Sequence, residues 1–247
     1  MGHSLEWLYI LICLPMPVTC EYNHVLFSQY NSNEGLNSSQ TLLYPGSLSV
    51  HQCAVLCTEH PCCLGYLYNW DNHQCILELR MSQRGDNLSP MVFLPNDDRQ
   101  QRFRRGCAPS WIEYQGNCYY QGETRVSWTD AKVECEKRCS HLVEIGDKEK
   151  SDWLAATFLS KSTCPTNIFI NCTAWTGGND VDVEGQYRWS YSNVTITFTA
   201  WYRNEPSVGY PARAKERDCI DLLRNGKWND RSCSYLNPFI CEMSYGQ

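Results

Sequence analysis

The sequence predicts an α+β chain built as two disulfide-rich modules, and three observations point there. Sixteen cysteines in 247 residues exceed what a reduced cytosolic protein carries, so disulfides formed in an oxidising compartment are the first expectation. Cysteines sit four apart in two helical patterns, Cys53 with Cys57 and Cys135 with Cys139, which places each pair on one helix face. Between these helices lie short apolar and aromatic runs broken by turn residues, the mark of short strands. A chain of this length has room for one large or two modest domains.

Taken in order, residues 1–20 read as a signal peptide: Leu5 to Val18 is mostly apolar, and Val18-Thr19-Cys20 offers a cleavage site before Glu21. No later run reaches the ~18 apolar residues of a membrane span, so the expected location is secreted and extracellular. The formal net charge of −6, with no basic face, argues against nucleic acid as a partner. Sequons at Asn37, Asn171 and Asn193 suit a glycosylated chain, whereas the one at Asn87 is hindered by Pro90.

The first module, residues 21–98, starts its helix near Ser47 or Ser49, both good N-caps. Pro61-Cys62-Cys63 breaks that helix, Leu64 to Tyr68 reads as a strand, and Asp71-Asn72 turns the chain back towards Cys75-Ile-Leu-Glu-Leu79. A helix followed by a cysteine-bearing hairpin resembles the core of the PAN/apple domain. That resemblance implies pairing of Cys53 with Cys75 and of Cys57 with Cys62 or Cys63, and a contact role towards protein or carbohydrate. Arg84-Gly85-Asp86 reads as an exposed turn. His51, His60 and His73 lie near cysteines but are not read as zinc ligands, because zinc sites need reduced thiolates. Residues 99–106 are polar and basic and read as a linker at a domain boundary. Within it Arg102-Phe103-Arg104-Arg105 matches a convertase cleavage pattern, although a solvated tether is the preferred reading.

The second module, residues 107–247, begins with two short aromatic runs around Gly116-Asn117, a hairpin signal. Ser127 or Thr129 caps a helix that puts Ala131, Cys135 and Cys139 on one face. Leu142 to Ile145 is a strand, and a second, acid-capped helix runs from Asp147 to Ser160 with Leu154 and Phe158 inward. Then come Thr173-Ala-Trp175-Thr-Gly177-Gly178, Gln186-Tyr-Arg-Trp189-Ser and the alternating Thr195-Ile-Thr-Phe-Thr199. The chain ends with Trp201-Tyr-Arg-Asn-Glu205-Pro206-Ser207, Cys219-Ile-Asp-Leu-Leu and Lys227-Trp228-Asn229-Asp230, closed by Cys233 and Cys241.

In their order, these cysteines, tryptophans and loop motifs resemble the C-type lectin-like domain. The resemblance implies an α+β fold of two helices, two small antiparallel sheets and a long loop region, with bridges Cys107–Cys118, Cys135–Cys241 and Cys219–Cys233. It also implies a Ca²⁺ site that binds a sugar. In that family a cis proline in Glu-Pro-Asn aims both flanking side chains at the metal, and a later Trp-Asn-Asp completes the set. Carried over, the metal ligands are Glu205, Ser207, Asn229 and Asp230, with Glu216 or Asp218 filling a further place. The carbohydrate contacts are Glu205, Ser207, Asn229, Asp230 and Tyr210. Glu205 keeps the hydrogen-bond acceptor that goes with mannose- or fucose-type sugars.

Two residues depart from that pattern. Ser207 stands where the family has asparagine, and its hydroxyl is a weak, short substitute. Arg217 stands where the family has a glutamate ligand. At ~5 Å and an effective dielectric of about 20, Arg⁺ against Ca²⁺ costs roughly 6 kcal/mol before screening, so Arg217 must point away if the ion is to bind. Two functions follow: a calcium-dependent lectin, or a calcium-independent interaction module on the same fold. An enzyme is not expected, since the chain has no His-Glu-x-x-His helix, Gly-x-Ser-x-Gly elbow or phosphate-binding glycine loop. Trp175, Trp189, Trp201 and Trp228 are expected in the core. Beyond the signal, Cys53, Cys57, Cys62, Cys63 and Cys75 make an odd number in the first module. The second is odd as well, so a bridge between modules or a disulfide-linked dimer is expected.

Overall fold

The structure is a computed structural model that describes residues 9–12, 21–24, 27–30, 39–44, 46–60, 62–80, 100–207 and 217–243. The chain divides into two compact units, residues 1–117 with 244–247, and residues 118–243.

In the first unit β1 (Tyr9–Ile12) pairs with β2 (Glu21–His24). The remaining elements are β3 (Phe27–Tyr30), β4 (Ser39–Tyr44), α1 (Val50–Glu59), β5 (Cys63–Asn69), β6 (Gln74–Arg80) and β7 (Gln100–Arg105). Strands β3 to β7 form an antiparallel sheet in the order β3-β7-β5-β6-β4. Ser49 starts α1 with a reciprocal cap: its hydroxyl accepts from Gln52 N at 3.2 Å, and its own N–H donates to Gln52 Oε1 at 2.8 Å. The helix ends at Glu59, two residues before Pro61. Its inner face buries Cys53, Ala54 and Cys57 against Tyr66, Tyr68 and Leu77. Bridges Cys53–Cys75 and Cys57–Cys63 lock that contact, so Cys63 and not Cys62 takes the second pairing. His73 Nδ1 lies 2.8 Å from the Tyr68 hydroxyl, and His60 Nδ1 accepts from Cys62 N at 3.3 Å, so both rings serve the hairpin and the helix end.

One expectation needs correction. Residues 99–106, read as a basic linker, contain β7, whose backbone pairs with β3 on one side and β5 on the other. Backbone hydrogen bonds do not depend on apolar side chains, so a polar run joins a sheet whenever a partner edge is free. Strand β5 offers that edge on the side away from β6. Arg105 is tied down as well: its Nη1 donates to the Cys57 and His60 carbonyls at 3.4 and 3.3 Å, where α1 leaves acceptors unpaired. A strand paired on both sides is not the free, extended segment that a convertase cleaves. Arg84-Gly85-Asp86 and the sequons at Asn37 and Asn87 lie outside the described residues.

Strands β8 (Ile112–Tyr114) and β9 (Asn117–Val126) follow. The turn sits at Gln115-Gly116, both at positive φ (47° and 76°), one residue earlier than expected. In the second unit α2 (Trp128–Glu136) is capped by Ser127, which accepts from Asp130 N at 3.2 Å. Strand β10 (His141–Leu142) leads to α3 (Lys148–Leu154), capped by Asp147. The expected long helix changes to a π-helical turn over Ala155–Leu159, and Leu154 and Phe158 are still buried. Next are β11 (Thr173–Asn179), β12 (Arg188–Trp189), β13 (Cys219–Leu223), β14 (Trp228–Arg231) and β15 (Asn237–Met243). Their order is β14-β13-β11-β15-β9, with β10 on β15 and β12 on β11. Of the alternating stretch 195–199, Thr195 alone bridges, to Arg188.

The core of this unit holds Trp175, Trp228, Phe239, Ile220, Leu142 and Ile145, all essentially without exposure. Gly122 admits Phe239, because a Cβ there would lie 2.1 Å from the ring. Cys135–Cys241 ties α2 to β15, and Cys219–Cys233 closes the end of the β13–β14 hairpin. Cys164–Cys172 closes the insertion ahead of β11. Cys62, Cys107, Cys118 and Cys139 are disulfide-bonded too.

Candidate functional site

The site is built where the loop after residue 200 runs along β14. Tyr202 N donates to the Trp228 carbonyl at 2.8 Å, and Trp228 N donates to Ala200 O at 2.9 Å. This register makes Trp201 a bridge partner of Trp228. Asn204 at φ 65° and the Glu205 N–H to Tyr202 carbonyl bond (3.0 Å) then turn the loop back. The Glu205–Pro206 peptide is cis, as the motif predicts. The tryptophans are mostly core: Trp175, Trp189 and Trp228 are buried, and the half-buried Trp201 packs edge-on to Trp228 at 5.8 Å.

Glu205, Ser207 and Asp230 converge. Ser207 N donates to Asp230 Oδ2 at 2.7 Å, while its hydroxyl lies 3.0 Å from Glu205 Oε2 and 3.1 Å from Asp230 Oδ1. One hydroxyl proton cannot serve both carboxylates at once, so two acids share one serine. Arg217 points into this cluster: its Nη1 donates to Ser207 Oγ at 3.3 Å. Desolvation, together with the Asp230 carboxyl hydrogen-bonded beside it, pushes Glu205 up to about 7, with Ser207 and Arg217 pulling the other way.

Asn229 does not join them. Side chains alternate along β14, and Asn229 Nδ2 donates to Asp221 Oδ1 at 2.8 Å, on the opposite side from Asp230. There Asp221, fully buried, also lies 3.0 Å from Arg231 Nε and accepts from Asn237 Nδ2 at 3.3 Å. Tyr210 and Glu216 lie outside the described residues. Of the glycosylation candidates, Asn171 and Asn193 are exposed.

Sequence reasoning missed two carboxylates here. Asp221 was legible as an acid inside the apolar run Cys219-Ile-Asp-Leu-Leu. Asp180 follows β11. Its Oδ2 accepts from Gly185 N at 2.7 Å, its N–H donates to the Asp218 carbonyl at 3.0 Å, and its buried Oδ1 has no hydrogen-bond partner among the described residues. Burial pushes both acids up to about 6, and the neighbouring Glu184 and Asp218 add to the effect at Asp180.

These shifts set a sign. An acid whose folded pKa lies above its unfolded value makes the native state bind more protons than the unfolded chain. Its contribution is full below pH 3.8 and is lost as the pH rises through about 6. Thermal melts are therefore expected to give a higher Tm near pH 5.5 than near pH 8, with Asp180→Asn reducing the difference. A Tm that climbs across that interval contradicts the assignment.

Calcium is the ion that this motif implies, and it needs about 6–8 oxygen ligands. Glu205, Ser207 and Asp230 supply part of such a set, Asn229 is committed to Asp221, and a guanidinium donates into the middle. Among the described residues no three His, Cys, Asp or Glu side chains converge closely enough to hold a metal ion. Among the described residues, Glu205, Ser207 and Asp230 with Arg217 donating into them do not fit calcium.

The family model described as the Lectin C-type domain matches residues 124–243, and that of the PAN domain matches residues 27–98. The human protein named C-type lectin domain family 17, member A is 31% identical over 137 residues, or 55% of this chain and 32% of that protein. This chain thus spans about a third of that relative's length. The mouse scavenger receptor C-type lectin carbohydrate-recognition domain is 28% identical with a TM-score of 0.49, covering 56% of this chain and 98% of that one. The cow carbohydrate-recognition domain of CD23, solved in the presence of a GlcNAc2Man3 oligosaccharide, is 30% identical with a TM-score of 0.45. It covers 56% of this chain and 96% of that domain.

Proposed function

Since the chain belongs to the C-type lectin domain family and carries a PAN domain ahead of its lectin domain, we propose that it is an extracellular carbohydrate-binding protein. Its binding cluster is Glu205, Ser207 and Asp230 with Arg217, and its ligands are glycans of the mannose or fucose type. One observation carries this reading: carboxylate acceptors and hydroxyl and guanidinium donors stand side by side at the Glu205–Pro206–Ser207 turn. A vicinal pair of sugar hydroxyls is both donor and acceptor, so it needs this combination, and charge-assisted bonds are the strong ones. Tyr202, half-buried beside the loop, and Tyr210 are the candidates to stack on a sugar face. The calcium-dependent form expected from the sequence is not carried forward, because Arg217 donates into the cluster. No catalytic step is assigned. Among the described residues no helix is long and apolar enough to cross a membrane.

The second reading, a calcium-independent module for protein contacts, is favoured by the same Ser207 and Arg217. A glycan array probed with the full chain, once in calcium and once in EDTA, separates the two. Capture of mannose- or fucose-type glycans in both buffers is the expected result. Capture that EDTA abolishes keeps the lectin and restores the metal. A blank array in both buffers rejects the glycan reading and leaves protein contacts.

A further inference from the structure

We infer that Arg217 is a built-in cation that takes the place of a metal ion at the Glu205–Ser207–Asp230 cluster, and that Ser207 is the residue that couples it there. The inference rests on the assignment of this cluster as the binding site, and it concerns how the site is assembled.

Two carboxylates drawn together, Glu205 on the loop and Asp230 on β14, favour a positive neighbour. In this chain the guanidinium of Arg217 is the group that arrives, with Nη1 at 3.3 Å from Ser207 Oγ. Arginine stays protonated at any pH a protein meets, and its planar fork suits carboxylate surroundings. Its position is held from the backbone. Asp218, the next residue, accepts from Asp180 N at 3.0 Å, and Cys219 after it is bridged to Cys233.

Ser207 fits this role because a hydroxyl both accepts and donates. It accepts from Arg217 on one side and donates to Glu205 or Asp230 on the other, at 3.0 and 3.1 Å. The side chain is short, so the guanidinium reaches the cluster. Asp230 is held independently, because the Ser207 backbone N–H donates to it at 2.7 Å. The two departures from the family pattern, at 207 and 217, therefore account for each other: the serine hydroxyl links the guanidinium to the acids by hydrogen bonds.

The test is a calcium titration of the full chain followed through the backbone amide resonance of Ser207. That N–H bonds directly to Asp230, so it reports on this cluster and not on other acidic groups. In the wild-type chain the resonance is expected to stay in place up to about 10 mM calcium, beyond the range in which extracellular sites fill. In Arg217→Glu it is expected to shift saturably, with a dissociation constant on the order of 1 mM or below. Arg217→Gln, which adds no new charge, is expected to show a weaker shift and serves if the glutamate variant does not fold. A saturable shift in the wild type overturns the inference. So does a silent Ser207 amide in variants whose spectra are otherwise native. None of these outcomes depends on a sugar, so a blank glycan array would reject the lectin reading while leaving this result standing.

Discussion

Replacing both Cys135 and Cys241 by serine is expected to lower the stability of the second unit by about 5 kcal/mol. The bridge spans 106 residues of sequence, and closing a loop of that size removes a large share of the unfolded chain's entropy. The Cys164–Cys172 bridge, separated by 8 residues, is worth about 2.5 kcal/mol on the same argument. Both pairs lie in one unit, so the difference between the two losses reads loop length. Denaturant melts followed by tryptophan fluorescence read the difference, because Trp175, Trp189 and Trp228 are buried in this unit. Equal losses for the two pairs would mean that native strain, not loop length, governs both. A loss near the whole stability of a domain, ~5–15 kcal/mol, is also consistent with the chain failing to fold without the long bridge.

The second large effect is expected at Asp221. Asp221→Ala removes the carboxylate that Asn229 and Asn237 donate to and that pairs with Arg231 at 3.0 Å. Leaving a mostly buried arginine without its partner costs about 3–5 kcal/mol. The consequence reaches the Glu205–Ser207 loop. Asn229 is anchored by Asp221 and adjoins Asp230 on β14, so loosening that strand is expected to disturb the Ser207–Asp230 bond as well. Asp221→Asn keeps the shape and part of the hydrogen bonding and is expected to cost less than half as much. Chemical denaturation of the two variants checks this. An alanine variant as stable as the wild type would show that the buried network contributes nothing net, as some buried ion pairs do.

Local chemistry made much of this fold readable. Ser49, Ser127 and Asp147 cap the three helices because a side-chain oxygen next to a first turn has an orphan N–H within reach. Cys53, Cys57 and Cys135 marked buried helix faces, whereas Cys139, expected on the same face, lies beyond the end of α2 at φ 53°. The bridges 53–75, 57–63, 135–241 and 219–233 form as the resemblance implied or allowed. Cys164 and Cys172 bond to each other, and Cys139 is disulfide-bonded as well. Asp180 and Asp221 escaped notice because a lone acid in a loop or a short strand carries no periodic signal. The change from α-helix to π-turn at Ala155 leaves no mark in the apolar pattern either, since Leu154 and Phe158 are buried in both geometries.

The sequence alone marked the helix starts and the Glu205–Pro206 and Trp228–Asp230 motifs, all of which depend on residues close together in the chain, and the cysteine pairing came only through the family resemblance. Tertiary structure decided the rest. Gln100–Arg105 became a strand because β5, some thirty residues earlier, had an edge to fill. Asn229 turned from the site because Asp221 faces it across the ladder. Arg217 entered the carboxylate cluster and did not point away, because two acids held together by a folded loop attract the nearest cation. Each outcome depends on which distant groups meet, and such pairings have no local signature.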